Sequence, residues 1–172
     1  MKVLSGRKVC TFIILLTGVF FLAGVSYAQQ GTPKLELKTA AEKEMKVKKD
    51  GKVETKRLPV EKANPGDVVV YTITYGNTGK GPLVDAVIVN PVPQGVVYLL
   101  ESAEGKDTEI KASIDNGRTW QKPPVTVLMK NPAGAETAKP AGAERYTHLQ
   151  WTVKKPLAPG QSGRVSFKVK VK

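Results

Sequence analysis

Between residues 164 and 172 every second side chain is apolar. Val165, Phe167, Val169 and Val171 alternate with Arg164, Ser166, Lys168, Lys170 and Lys172. A period of two places successive side chains on opposite faces of an extended chain, whereas a helix repeats about every 3.6 residues. A strand with one apolar face needs a second layer to cover it. The chain carries material for one. Residues 68–76, VVVYTITYG, are β-branched or aromatic almost throughout. They set Val69, Tyr71, Ile73 and Tyr75 against Val68, Val70, Thr72 and Thr74. Further on, Leu149, Trp151 and Val153 alternate with His148, Gln150 and Thr152. Turn strings punctuate these runs: Asp50-Gly51, Asn64-Pro65-Gly66-Asp67, Asn77-Thr78-Gly79, Asn90-Pro91, Asn116-Gly117 and Pro159-Gly160. Short strands at such spacing predict an all-β, antiparallel β-sandwich.

The N-terminus has a different character. Lys2, Arg7 and Lys8 precede an uncharged run over residues 9–25, and Ser26-Tyr27-Ala28 follows with small residues at the two positions a signal peptidase reads. Residues 1–28 are expected to be a signal peptide cut after Ala28; the alternative is an uncleaved anchor. The single cysteine, Cys10, lies inside this leader. The exported part is therefore expected to fold without disulfides or cysteine-bound metal. Losing Lys2, Arg7 and Lys8 leaves 24 basic residues against 15 acidic, a net charge of +9. Such a balance attracts anions. Export argues against nucleic acid as the partner and leaves acidic polysaccharide, envelope components or the acidic face of another protein.

Residues 29–62 are dense in Lys and Glu. The composition of 38–49 would suit a short helix, but MKVKKDGKVETK (45–56) reads better as a hairpin turning at Asp50-Gly51 and joining the domain. Residues 63–172 form the expected sandwich. Within it, 131–144 (NPAGAETAKPAGAE) offers no large apolar residue to bury and is expected to be a long exposed loop.

Three ordered stretches carry a family resemblance: PGDVVVYTITYGNTG (65–79), DAVIVNPVPQG (85–95) and PLAPGQSGRVSFKVKV (156–171). Together they resemble the conserved repeat of bacterial and archaeal surface proteins, family eleven among the domains of unknown function, over roughly residues 60–172. The resemblance implies an immunoglobulin-like sandwich exposed outside the cytoplasm, in a periplasmic or cell-surface setting. Members often occur as tandem repeats in envelope, adhesive or filament-forming proteins. This chain holds one copy. The family implies no catalytic residue and no cofactor.

In the residues themselves, Pro65-Gly66-Asp67 should turn the chain into a central strand. Asn77-Thr78-Gly79 should close it, with Asn or Gly at positive φ. Pro91 and Pro93 cannot donate to a ladder and should end a strand or mark an edge.

The sharpest short motif is SIDNGRTW, with Ser113, Asp115, Gly117, Thr119 and Trp120 in the pattern of an Asp-box. Such a motif is a folding device, a hairpin whose carboxylate bonds the turn backbone. Other chemistry is sparse. His148 is the only histidine, so it can found neither a histidine metal cluster nor a convincing nucleophilic triad. Its place opposite Leu149 and Trp151 predicts solvent exposure. Trp120 and Trp151 fall beside regular alternation and are expected in the core rather than on a sugar-stacking platform. The final strand has no Asn or Asp for a Lys–Asn isopeptide lock.

Arg164, Lys168, Lys170 and Lys172 share one face of the last strand. They form either an anion-binding ridge or, as the favoured reading, the guard of an exposed edge against strand-to-strand aggregation. The function expected is a non-catalytic structural or interaction domain for adhesion or assembly. A binding module for anionic polysaccharide is the alternative, and a glycan-acting enzyme the third.

Overall fold

The computed structural model describes residues 31–49, 51–130 and 135–172. The leader expected at 1–28 and Asp50 of the hairpin turn lie outside them. The chain forms eleven described strands, all paired antiparallel: β1 Leu35–Lys49, β2 Lys52–Pro59, β3 Val68–Asn77, β4 Val87–Pro91, β5 Val96–Tyr98, β6 Glu104–Gly105, β7 Thr108–Ser113, β8 Thr126–Lys130, β9 Glu136–Pro140, β10 His148–Val153 and β11 Ser162–Val171. The larger sheet runs β2-β1-β3-β11-β5, with β6 also on β11; the smaller runs β4-β10-β7, and β8-β9 make a separate ribbon. Among the described residues no helix is long and apolar enough to cross a membrane.

The two sheets meet through the alternating residues. From the larger sheet come Val69, Ile73 and Tyr75 of β3, Val165, Phe167 and Val169 of β11, and Tyr98 of β5. From the smaller come Ile88, Ala112, Leu149, Trp151 and Val153. Trp151 is the central plug, fully buried with its ring 6.0 Å from that of Phe167. Phe167 in turn stacks on Tyr71 at 5.1 Å.

Residues 38–49 belong to the long strand β1 rather than to a helix. Over Leu35–Glu44 this strand pairs with β3, and over Glu42–Lys49 with β2. Lys49 faces Lys52, and between them Gly51 takes a φ of 74°. A two-residue hairpin loop matches the twist of its flanking strands when φ is positive.

Three expectations need correction. First, β11 is not an edge strand. It lies inside the larger sheet, between β3 on one side and β5 and β6 on the other. Its lysines leave the face of the sheet, so edge protection is not their role.

Second, 131–144 is not all loop. Glu136–Pro140 is the strand β9, laddered to β8 with every residue exposed, and Ala141 is buried. Main-chain hydrogen bonds hold this ribbon, so the lack of large apolar side chains does not prevent it.

Third, neither Asn77 nor Gly79 takes a positive φ. Asn77 is buried, and its side chain is the hub of the turn. Its Nδ2 donates to the carbonyls of Gly81 and Leu157, both at 2.8 Å, and its Oδ1 accepts from the N–H of Lys34 at 3.2 Å and of Gly79 at 3.0 Å. Gly79 is needed for close approach: a Cβ there would collide with the backbone of Thr32, Pro33 and Lys34.

Candidate interaction surfaces

The Asp-box stretch folds as a closed loop off the end of β7. Asn116 and Gly117 turn it at φ 58° and 81°, and Ala112 pairs with Gln121 across its base. Ser113 Oγ donates to Asp115 Oδ1 at 2.7 Å and accepts from Gly117 N–H at 2.9 Å. Asp115 Oδ1 also accepts from Thr119 N–H at 2.9 Å, and Asp115 Oδ2 from Thr119 Oγ1 at 2.6 Å. Both carboxylate oxygens are thus held by the loop itself. The Thr119 hydroxyl, then Ser113 and the Thr119 N–H, lower the Asp115 pKa from its ordinary 3.8 to about 2. Hydrogen bonds to the charged form favour it.

A depressed carboxylate stabilises the fold above its unfolded pKa and loses that contribution as pH falls through the folded value. Asp115→Asn is therefore expected to lower the denaturant midpoint at neutral pH. The gap from the parent should close as pH drops from about 4 to about 2. A gap that stays constant over that window would show that the carboxylate does not hold the loop.

The same loop corrects the reading of His148. It brings Trp120 back over β10, edge-on to the imidazole with ring centroids 6.5 Å apart. His148 is half-buried and its Nδ1 is enclosed without a hydrogen-bond partner. Trp120 is itself half-buried on this outer face, while Trp151 sits in the core. Among the described residues no group of three or more His, Cys, Asp and Glu is placed to hold a metal ion.

The cationic face of β11 is crossed by ion pairs. Lys168 Nζ lies 2.9 Å from Glu44 Oε2, and Arg57 Nε lies 3.9 Å from the same oxygen. The Lys168–Glu44 pair joins β11 to β1, the two neighbours of β3, so it spans β3. Val70 of β3 lies in line with Lys168 and Glu42, and is only 1% exposed although it points away from the core. Long charged side chains cover apolar surface with their methylene stems. Lys168 therefore packs, whereas Arg164, Lys170 and Lys172 remain exposed.

The chain matches no family model, no curated protein and no solved structure. The surfaces therefore rest on their own geometry.

Two features lie beyond what the sequence marked. One is a trough of about 440 Å³ across the outer face of the larger sheet. Ala40, Thr72, Thr74 and Ser166 are among its lining, with Arg57, Arg164, Glu42 and Glu104 beside them. Short side chains in line on β1, β3 and β11 leave the depression, and only the strand pairing reveals that alignment.

The other is the overhang of β1 and β2. Beyond Glu44, β1 no longer pairs with β3 and continues with β2 alone. All of β2 is exposed. Leu37, Met45 and Leu58 lie on the face that continues the core side of β3, yet are 40–51% exposed. At its root, Lys43 Nζ lies 2.7 Å from Asp67 Oδ2, and this contact, with the Asn64 N–H, holds the Asp67 carboxyl below its ordinary range.

Proposed function

We propose that this chain is a non-catalytic, exported structural or interaction domain, an immunoglobulin-like sandwich that takes part in adhesion or assembly at the cell envelope or outside the cell. The observation that carries this reading is the projecting β1–β2 hairpin. A two-stranded ribbon in water is marginally stable on its own. This one extends past the sheet that anchors it, with Met45 at the start of the overhang and Leu58 at its root both about half exposed. Such an arrangement supports a contact made with another molecule. The leader-like residues 1–28 support export. The three stretches resembling the surface-protein repeat form β3, β4 and β11 with their turns, which supports the same architecture. The engagement of both Asp115 oxygens within the loop supports a folding role for that motif rather than glycan chemistry.

A second reading has its own observation. The trough sets the hydroxyls of Thr72, Thr74 and Ser166 beside Arg57 and Arg164 as well as Glu42 and Glu104, and the exposed Lys170 and Lys172 continue the cationic face of β11, which supports binding of an acidic polysaccharide.

One experiment separates the readings. A photocrosslinker at Val53 of the exported protein should capture a discrete envelope protein, with or without prior glycan digestion, and Met45→Ser with Leu58→Ser should abolish the capture. Retention on an acidic-glycan column, lost in Arg57→Gln with Arg164→Gln, would instead establish the second reading. Turnover of a glycan library, abolished by Asp115→Ala in a folded protein, would overturn both.

A further inference from the structure

The smaller sheet ends at β4, and among the described residues no strand pairs with its far side. The main-chain bonds fix which groups face outward. Val92 N–H donates to Thr147 O at 2.8 Å and Val153 N–H to Ala86 O at 2.9 Å. In an antiparallel ladder hydrogen-bonded and open pairs alternate. The even-numbered residues of β4 therefore bond to β10, and the N–H and C=O of Val87 and Val89 point to the open side. Beyond them, Pro91 has no N–H, and its carbonyl accepts from the side chain of Asn90 at 2.8 Å. The open edge thus offers two donors and two acceptors, centred on Ile88.

The other edges of the two larger sheets are defended. The β2 edge carries Lys52, Glu54, Lys56 and Arg57. At the far end of that sheet, β5 has three residues and β6 two. The free side of β7 is closed at Ala112 by Gln121, and the strand bears Glu109 and Lys111. Exposed edges in soluble proteins are ordinarily guarded by charge, proline or shortness. Residues 87–91, VIVNP, carry no charge, in a chain of net +12. Their neighbours on β10, His148, Gln150 and Thr152, add no carboxylate, lysine or arginine to that face. Val87 and Val89 lie on this outer face at 42% and 44% exposure.

We propose that β4 is a self-pairing edge, through which two copies of this chain join antiparallel into one sheet ordered β7-β10-β4-β4-β10-β7. A two-fold axis at Ile88 places Val87 opposite Val89 of the second copy. Each such pair exchanges two N–H···O=C bonds, so the edges satisfy each other with four. The same symmetry gathers the four valines into one apolar patch and brings no like charges together along the strands. A second copy fits because the edge is self-complementary and neutral, where most of this cationic surface would repel its own kind. The inference concerns a different surface from the β1–β2 hairpin and does not depend on that contact.

Sedimentation of the purified exported protein over a wide concentration range tests it, alongside amide exchange. A reversible dimer is expected, with the Val87 and Val89 amides exchanging rapidly at low concentration and protected at high concentration. Val89→Lys puts like charges across the junction and is expected to weaken the dimer at least about tenfold. Val53→Lys, on the β2 edge, should leave it unchanged. The exchange measurement needs no variant, so misfolding of Val89→Lys cannot obscure the result. A monomer at every concentration with no protection at Val87 and Val89 overturns the proposal. So does a dimer whose Val87 and Val89 amides stay unprotected. Protection that appears only on adding an envelope extract would assign the edge to a different chain, and would equally overturn self-pairing.

Discussion

Trp151→Ala is expected to lower the stability of the domain by about 3–5 kcal/mol, the cost of emptying a large aromatic site in a packed core. Small domains have only about 5–15 kcal/mol in total, so the variant should be largely unfolded under mild denaturant. The indole fills the space between the two sheets, beside Phe167 and over Gly105. A Cβ at Gly105 would collide with Thr108 Oγ1 and Val165 Cγ1 and come within 3.1 Å of Trp151 Cδ1, so only a glycine lets these side chains and the ring pack against the backbone there. Trp151→Phe should cost much less than Trp151→Ala. It keeps an aromatic against Phe167 and removes an indole N–H that is enclosed without a partner. His148→Ala, one strand face away, removes an edge contact with Trp120 and should cost about 1 kcal/mol. Urea midpoints of the three variants check the order. Equal, small shifts for Trp151→Ala and His148→Ala would mean that Trp151 does not occupy the core face of β10.

The places where sequence and structure agree are local, and those where they part are not. The period of two in β3, β10 and β11 marks each strand and its buried face, because alternation needs only neighbours along the chain. The Asp-box loop is equally legible, since the side-chain bonds of its carboxylate fall between Ser113 and Thr119. Alternation is silent about whether a strand is central. The polar face of β11 looks the same beside solvent as beside β3 and β5, and the partner of Lys168 is 124 residues away. In β1 the mixture of Ala, Glu and Lys suits a helix as well as a strand. Tertiary pairing with β3 decides it, over a distance that propensity does not see. β9 could not be read at all, because ETAKP has neither large apolar residues nor a period. The overhang and the open β4 edge appear only when sheet widths are compared, since each strand looks ordinary by itself.

The turn residues differ in how replaceable they are. Gly51, Gly66 and Gly160 turn the chain at positive φ, and nothing surrounds the position of their missing Cβ. Replacing them costs backbone strain alone. Asn77 looks like one more residue of a turn string, yet its contacts are buried and reach across the fold.

Asn77→Ala is expected to cost about 3 kcal/mol, because each buried group left without a partner costs about 1–3 kcal/mol. The N–H groups of Lys34 and Gly79 lose their acceptor and the carbonyl of Gly81 its donor. The Leu157 carbonyl keeps the Leu83 N–H at 3.0 Å, so its loss is smaller. Asn77→Asp is nearly the same size and tests the chemistry rather than the volume. Its carboxylate could still accept from Lys34 and Gly79, but it would face two carbonyl oxygens where Nδ2 donated. Burial and those oxygens both disfavour the charged form, so the folded pKa of the new acid must rise above its unfolded value of about 3.9. A raised carboxyl pKa penalises the fold above the unfolded pKa, and the penalty disappears as pH falls below it, because the neutral acid can donate to one carbonyl. Asn77→Asp should therefore be closest to the parent near about pH 4 and fall away as pH rises towards 7, while the deficit of Asn77→Ala stays nearly flat over that interval. Thermal midpoints of both variants across that range decide the matter. An Asn77→Asp protein as stable at neutral pH as at pH 4 would show that the Nδ2 bonds to Gly81 and Leu157 do not hold the turn.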